Sequence, residues 1–205
     1  MKKGKLFIIS GPSGAGKGTI CERVRIETDS TVSVSVTTRG PRSDEREGEA
    51  YYFISNGEFD ALIENDGLLE YADVFGNKYG TPKQPVIDAL FAGRNMILEI
   101  DVQGAMQVKT TFPEGILIFV LPPSLETLRE RIVRRGTETA EDVDRRLGEA
   151  MREIEYLPEY DYVIVNDDLD AAVAQTRSVM EAEGLRLTPG SAKTFVEKFR
   201  KKEIR

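Results

Sequence analysis

The chain contains no histidine among its 205 residues. A Ser-His-Asp triad and any histidine metal site are therefore excluded at the outset. Its single cysteine, Cys21, excludes an internal disulfide and thiolate zinc sites; on an amphipathic helix it reads as a small buried hydrophobe. No apolar run approaches the ~20 residues of a membrane span. The opening MKKGKLFIISG has an apolar run too short for a signal peptide, so the expected location is cytoplasmic with no membrane partner. A net charge of −7 lacks the basic excess of a nucleic-acid binder; no nucleic-acid partner is expected, although local basic clusters can still hold phosphates. Repeats and low-complexity segments are absent too. Any catalysis must rest on Lys, Arg, carboxylates and a bound cation.

What the chain does have is GPSGAGKGT, Gly11 to Thr19, set directly behind the apolar run Leu6 to Ile9. Strand, glycine-rich loop and helix in that order form the setting of a phosphate-binding P-loop. Gly11, Gly14 and Gly16 let the backbone turn its N–H groups inward, with Pro12, Ser13 and Ala15 completing the cradle. The following helix adds its positive dipole end. Lys17 can reach between the β- and γ-phosphates of a nucleoside triphosphate. Gly18 stands where the motif has Ser or Thr, and the hydroxyl comes one residue later. Thr19 thus meets Mg²⁺ through water or not at all.

Further along, Thr31 to Thr38 (TVSVSVTT) alternates valines with hydroxyls and reads as one half-buried strand. Residues 37–83 are dense in charge, tyrosine and turn residues and read as a small inserted lobe. Within it Ser55 and Glu58 form a capping box for a short helix with Phe59, Leu62 and Ile63 on one side. A helix with Val86, Ile87, Leu90 and Phe91 follows. Met96 to Ile100 is an apolar strand ending in Asp101, where a metal-ordering carboxylate of P-loop proteins lies. Ile116 to Leu121 is the next strand. Ser124 caps a helix with Leu125, Leu128 and Ile132 inward, and Thr139 with Asp142 opens another carrying Val143, Leu147, Met151 and Ile154. Tyr162 to Val165 is the last strand, running into Asn166 and Asp167, placed to approach an adenine. Residues 185–190 read as a connector. The basic tail helix beyond has Phe195, Val196 and Phe199 on one face, for packing on the core or for a dimer contact. Strands alternating with helices imply an α/β fold with a doubly wound parallel sheet.

The inserted lobe carries Arg39, Arg42, Tyr51 and Tyr79, whose guanidinium forks and phenols suit a second phosphate. Glu70 and Asp101 could accept from the N1–H and N2–H of a guanine, and Ser35 and Thr81 could donate to its O6. Adenine presents the opposite pattern. Spacing does not by itself bring these four residues together.

Five stretches resemble the guanylate kinase family: SVSVTTRGPRSDEREGEAYYF (33–53), EYADVFGNKYGTP (70–82), LEIDVQG (98–104), RRGTETAEDVDRRL (134–147) and YDYVIVNDD (160–168). With the P-loop they cover residues 6–168 nearly end to end; the resemblance fades beyond about residue 184. It implies the P-loop kinase fold with a GMP-binding lobe at 37–83 and a helical lid at 126–156. It also implies transfer of the ATP γ-phosphoryl group, with Mg²⁺, to GMP and to dGMP, in purine nucleotide metabolism. By resemblance Arg39, Arg42, Tyr51 and Tyr79 hold the GMP phosphate, and Ser35, Glu70, Thr81 and Asp101 the guanine. Lys17, Arg42, Arg135 and Arg146 act on the transferring group, the last two swinging in on a lid hinged near Gly136. The other basic lid residues, Arg131, Arg134 and Arg145, read as salt-paired. Two rivals remain: a kinase of another phosphate ester such as AMP or a sugar phosphate, and a non-catalytic module for phosphorylated peptides. Whether the chain acts as a monomer or a homo-oligomer is left open.

Overall fold

A strand covered on both faces is expected to be largely apolar, and LFII of LFIIS is: all of β1 (Leu6–Ser10) is buried, with Ser10 its one polar residue. The remaining elements are α1 (Lys17–Glu27), β2 (Ser30–Val32), β3 (Ser35–Thr37), β4 (Tyr51–Phe53), α2 (Asn56–Glu64), β5 (Leu68–Val74), β6 (Asn77–Pro82), α3 (Lys83–Phe91), β7 (Asn95–Glu99), α4 (Val102–Thr111), β8 (Ile116–Leu121), α5 (Leu125–Arg134), α6 (Ala140–Ile154), β9 (Tyr162–Val165), α7 (Leu169–Leu185) and α8 (Pro189–Arg200). The computed structural model describes residues 3–42, 45–49, 51–74, 76–134, 139–187 and 189–201.

Five strands form one sheet in the order β2-β7-β1-β8-β9, every pairing parallel. Alternation along the strands divides the core between the two faces. Phe7, Ile9, Ile97, Ile118 and Val120 join Ile20 and Val24 of α1 and Val173 and Met180 of α7. Leu6, Ile8, Met96, Leu98 and Leu117 join Val86 and Leu90 of α3 and Ala105 and Val108 of α4. The sheet is doubly wound, as expected. Central β1 is flanked by β7 and β8, so the chain reverses direction around it, and ligands of open α/β sheets bind at the carboxyl ends beside that point.

The expected single strand over Thr31 to Thr38 is two strands in two sheets. β2 pairs with β7, whereas β3 leaves for a second sheet of order β4-β3-β6-β5. Period-2 alternation assigns faces but does not choose partners, and the chain crosses between sheets at Ser33 and Val34. This second sheet is mixed: β3 runs parallel to β4 and antiparallel to β6. It holds a small core of its own, Val36, Phe59 and Leu68 with Ile54, Leu62 and Ile63 packed against it. The expected capping box of Ser55 with Glu58 is present, and Thr139 with Asp142, expected to open α6, forms a second.

Three residues expected inside are not: Phe91, Leu125 and Met151 are 68%, 43% and 47% exposed. Phe91 lies at the end of α3, where the Lys3 ammonium sits 5.5 Å from its ring centroid. Phe195, Val196 and Phe199 of α8 are exposed as well, so the tail helix does not bury that face on the core. No helix among the described residues is long and apolar enough to cross a membrane.

Candidate active site

The loop after β1 turns on glycines with positive φ. Gly16, at φ 93°, is the N-cap of α1, and a Cβ there would lie 2.3 Å from the Asn166 side chain. Lys17 is therefore the first residue of the helix. Its ammonium folds back over the loop and donates to the carbonyls of Gly11 and Pro12 at 2.5 and 3.2 Å. Burial pulls the Lys17 ammonium below the usual lysine range, opposed by the nearby Glu99, Glu153, Cys21 and Asp101. The cation is held in place but weakly solvated, ready for a stronger anion than two carbonyls.

Position 18 faces the end of β7. The Cβ that Gly18 lacks would meet Oε1 of Glu99 at 3.2 Å. Thr19 is exposed, about 100° further round the helix. Desolvation in the cleft raises the Glu99 carboxyl above the ordinary range, with Lys17 opposing. The strand ends at Glu99, not at Asp101, which instead caps α4: its Oδ1 accepts from the Gly104 N–H at 2.8 Å.

Beside Asp101 stands Glu70 of β5, buried and accepting the Thr81 hydroxyl at 2.6 Å. A Cβ at Gly104 would fall 2.7 Å from Oε2 of Glu70, so only glycine leaves that carboxylate its space. Burial pushes the Glu70 carboxyl up to about 7, helped by the Asp101 charge and opposed by Thr81. A shift of that size represents up to about 3 kcal/mol of folding stability, present below pH ~4.5 and lost as pH rises towards 7. Burial therefore opposes ionisation of Glu70 at neutral pH, and N–H donors facing the carboxylate would favour it. The Thr81 hydroxyl proton expected on a guanine O6 is spent on Glu70 here.

Across the cleft, Arg39 of the β3–β4 connection donates through Nε to the Tyr79 hydroxyl at 3.2 Å. Tyr51 meets Tyr79 edge to face at 5.8 Å between ring centroids, and the Arg39 guanidinium lies 5.6 Å from the Tyr51 centroid. Burial raises the Tyr51 phenol above its usual range, keeping it a donor. Ser35 and Tyr51 share a cleft of about 640 Å³ with Gly18, Cys21, Val32 and Glu99. Arg42 is exposed at the edge of the lobe. Of the expected second-site residues, Glu70, Thr81 and Asp101 form one cluster and Arg39, Tyr51 and Tyr79 another. Ser35 opens onto the cleft by Gly18.

Helices α5 and α6 pack on each other through Leu128, Ile132, Val143, Leu147 and Ala150. α5 also lies on the P-loop, since a Cβ at Gly14 would meet Leu128 at 3.0 Å and Ile132 at 3.4 Å. Arg146 is half-buried on α6; Glu153, two turns on, acts electrostatically on Lys17. Arg135 and Gly136 lie outside the described residues.

Two residues differ from expectation at the loop's back. Asn166 donates its side-chain amide to the Ala15 carbonyl at 2.8 Å, so it props the P-loop, while Asp167 beside it is exposed. Arg131, expected to be salt-paired, makes no ion pair among the described residues: it donates to the carbonyls of Asn166 at 2.8 Å and Ala15 at 3.5 Å, tying α5 to the loop and to the end of β9. Arg145 does pair with Glu149 and Asp142. Sequence reasoning passed over Glu99 and Glu153, and read the loop-bracing Arg131 as salt-paired. Alternation from Ile97, which faces α1, places Glu99 on the P-loop side and was the available signal.

A phosphate cradle at the switch point of a parallel sheet, with a polar second lobe across the cleft and helices over the loop, defines a P-loop kinase. The guanylate kinase family model matches residues 3–183, and the chain belongs to that family. The activity that membership carries is ATP-dependent phosphorylation of GMP. Curated guanylate kinases from Clostridium acetobutylicum and Desulfitobacterium hafniense are 51% and 52% identical over 186 and 185 residues, covering 91% and 90% of this chain and 89% and 92% of theirs. A crystal structure of guanylate kinase from Anaplasma phagocytophilum superposes with a TM-score of 0.78 at 32% identity, over 100% of this chain and 98% of that one. The family match ends before the tail helix.

Proposed function

We propose that the cleft carries out phosphoryl transfer with ATP on the P-loop and GMP in the lobe. The observation that supports this most is Glu70 beside Thr81 and Asp101, a buried acceptor set that matches the N1–H and N2–H of guanine. The loop amides from Gly11 to Thr19 and the Lys17 ammonium hold the ATP phosphates, with Lys17 leaving its two carbonyls for the β- and γ-oxygens. Asn166 and Asp167 border the nucleoside end, Asn166 by fixing the loop. Arg42, Arg39, Tyr51 and Tyr79 hold the GMP phosphate, and Ser35 donates to O6. Residues 126–156 close over the loop and bring Arg135 and Arg146 to the transferring group, excluding water as a rival acceptor. The GMP phosphate oxygen is already anionic, so no general base is required.

The residues present suit Mg²⁺, because Glu99 offers hard carboxylate oxygens beside Gly18 and the Asp101 charge also acts on Lys17. Bound with ATP, Mg²⁺ would supply neutralisation of the phosphate charge, with Glu99 as the residue placed to hold it. Thr19 is assigned no direct bond to it.

A coupled assay of ADP formation with GMP, dGMP, AMP, CMP and UMP tests the reading; equal turnover of AMP and GMP overturns it. Arg42→Ala is expected to reduce kcat/KM for GMP by ~10²-fold or more, through loss of a charge-assisted phosphate contact. Near-full activity would remove Arg42 from the site. Because the ionised Glu70 carboxylate is the form that accepts from both guanine N–H groups, and its pKa lies at about 7, guanosine affinity is expected to fall about fivefold between pH 7 and pH 6. Guanosine avoids the titrating phosphate of GMP. A flat calorimetric affinity across that range would contradict the role of Glu70.

A further inference from the structure

The β3–β4 connection contains a carboxylate that the reaction itself does not use. Oε1 of Glu45 accepts from Arg39 Nη2 at 2.8 Å, and Oε2 accepts from Arg39 Nη1 at 3.0 Å, a two-point fork. The same Oε2 accepts the backbone N–H of Arg42 at 2.8 Å, and the Glu45 N–H donates back to the Arg42 carbonyl at 3.2 Å. The pair is largely shielded, with side chains 17% and 14% exposed. The Arg39 guanidinium beside it holds the Glu45 carboxyl below the usual range.

With Nε on Tyr79 and Nη1 also on the Gly40 carbonyl, four of the five Arg39 N–H groups find acceptors among the described residues of the lobe. The Tyr79 oxygen accepts from Arg39, so its own proton is left to donate outward. We infer that Glu45 is a positioning residue for the acceptor phosphate: it clamps the Arg39 guanidinium and the Arg42 backbone into one rigid cradle. The inference rests on the proposed GMP site. Arg39 then acts mainly as a fixed strut that aims its last N–H and the Tyr79 hydroxyl, while Arg42 supplies the unshared positive charge. Organising donors in advance lowers the ordering cost of binding a phosphate. Because Glu45 cancels most of the Arg39 charge, the cradle favours ligands by geometry as much as by net charge.

The test compares Glu45→Ala and Glu45→Gln with the unaltered protein, using GMP and guanosine as calorimetric probes and steady-state kinetics with ATP. Expected for Glu45→Ala are a rise of about tenfold or more in Kd and KM for GMP, kcat within a factor of about three, and unchanged KM for ATP and Kd for guanosine. Glu45→Gln, which keeps one acceptor oxygen, falls between. A thermal melt confirms that both variants fold, and Glu45→Gln carries the test alone if Glu45→Ala does not. Parallel loss of GMP and guanosine affinity would reduce Glu45 to a general structural role. Unchanged or tighter GMP binding would mean that Glu45 competes with the phosphate for Arg39, overturning the clamp. Failure of the unaltered protein to bind GMP would overturn the site itself, an outcome visible before any variant is measured.

Discussion

Lys17→Ala is expected to lower kcat by ~10³-fold or more while the protein stays folded. The rate effect follows from where charge develops: phosphoryl transfer has little covalent chemistry for the protein to perform, so removing a fixed cation from the β- and γ-oxygens removes much of the catalysis. Stability should hold because, among the described residues, the Lys17 ammonium makes two hydrogen bonds, both to loop carbonyls. Its burial already acts against the charged form, so truncation removes a desolvation cost along with those bonds. Turnover in the ADP-coupled assay and a thermal melt on the same sample separate the two effects. Activity within tenfold of the unaltered protein would mean that the loop amides suffice and that Lys17 is not catalytic.

Glu70→Ala should erase most of the choice between purines. The preference for GMP over AMP is expected to fall by ~10³-fold, chiefly through KM for GMP, with KM for ATP unchanged. Polar recognition discriminates strongly because a wrong ligand leaves buried groups without partners; Glu70 is 6% exposed and, among the described residues, accepts from the neutral donor Thr81. The variant should also be more stable at pH 8 than the unaltered protein without ligand. It no longer keeps a carboxylate ionised whose ordinary pKa burial has pushed up to about 7. That pairing, weaker substrate binding with higher stability, is the mark of a group strained for function. An unchanged KM for GMP would sink the assignment of the guanine site.

Much of this was legible before any coordinates. The P-loop is one contiguous segment whose contacts run between residues a few positions apart, so GPSGAGKGT behind an apolar run specifies both geometry and chemistry. Capping boxes at Ser55 and Thr139 are local for the same reason, and β8 fell at its expected bounds because a run of six apolar residues between turn signals admits little else. The lobe was harder. Nothing local distinguishes Val34 as the crossing between two sheets, or shows that Arg39 meets Glu45 in a two-point fork before it meets any substrate.

Residue types and their order along the chain determined, by themselves, a nucleotide-binding α/β kinase with a second polar lobe, because loop, strand and cap signals depend on neighbours within one or two turns. Only the tertiary structure decided that Asn166 and Arg131 brace the P-loop, that Glu99 faces position 18, and that Glu70 is shut in against Gly104. Each of those depends on burial and on partners dozens of residues away, and desolvation is a property of the assembled fold that no single stretch of chain carries.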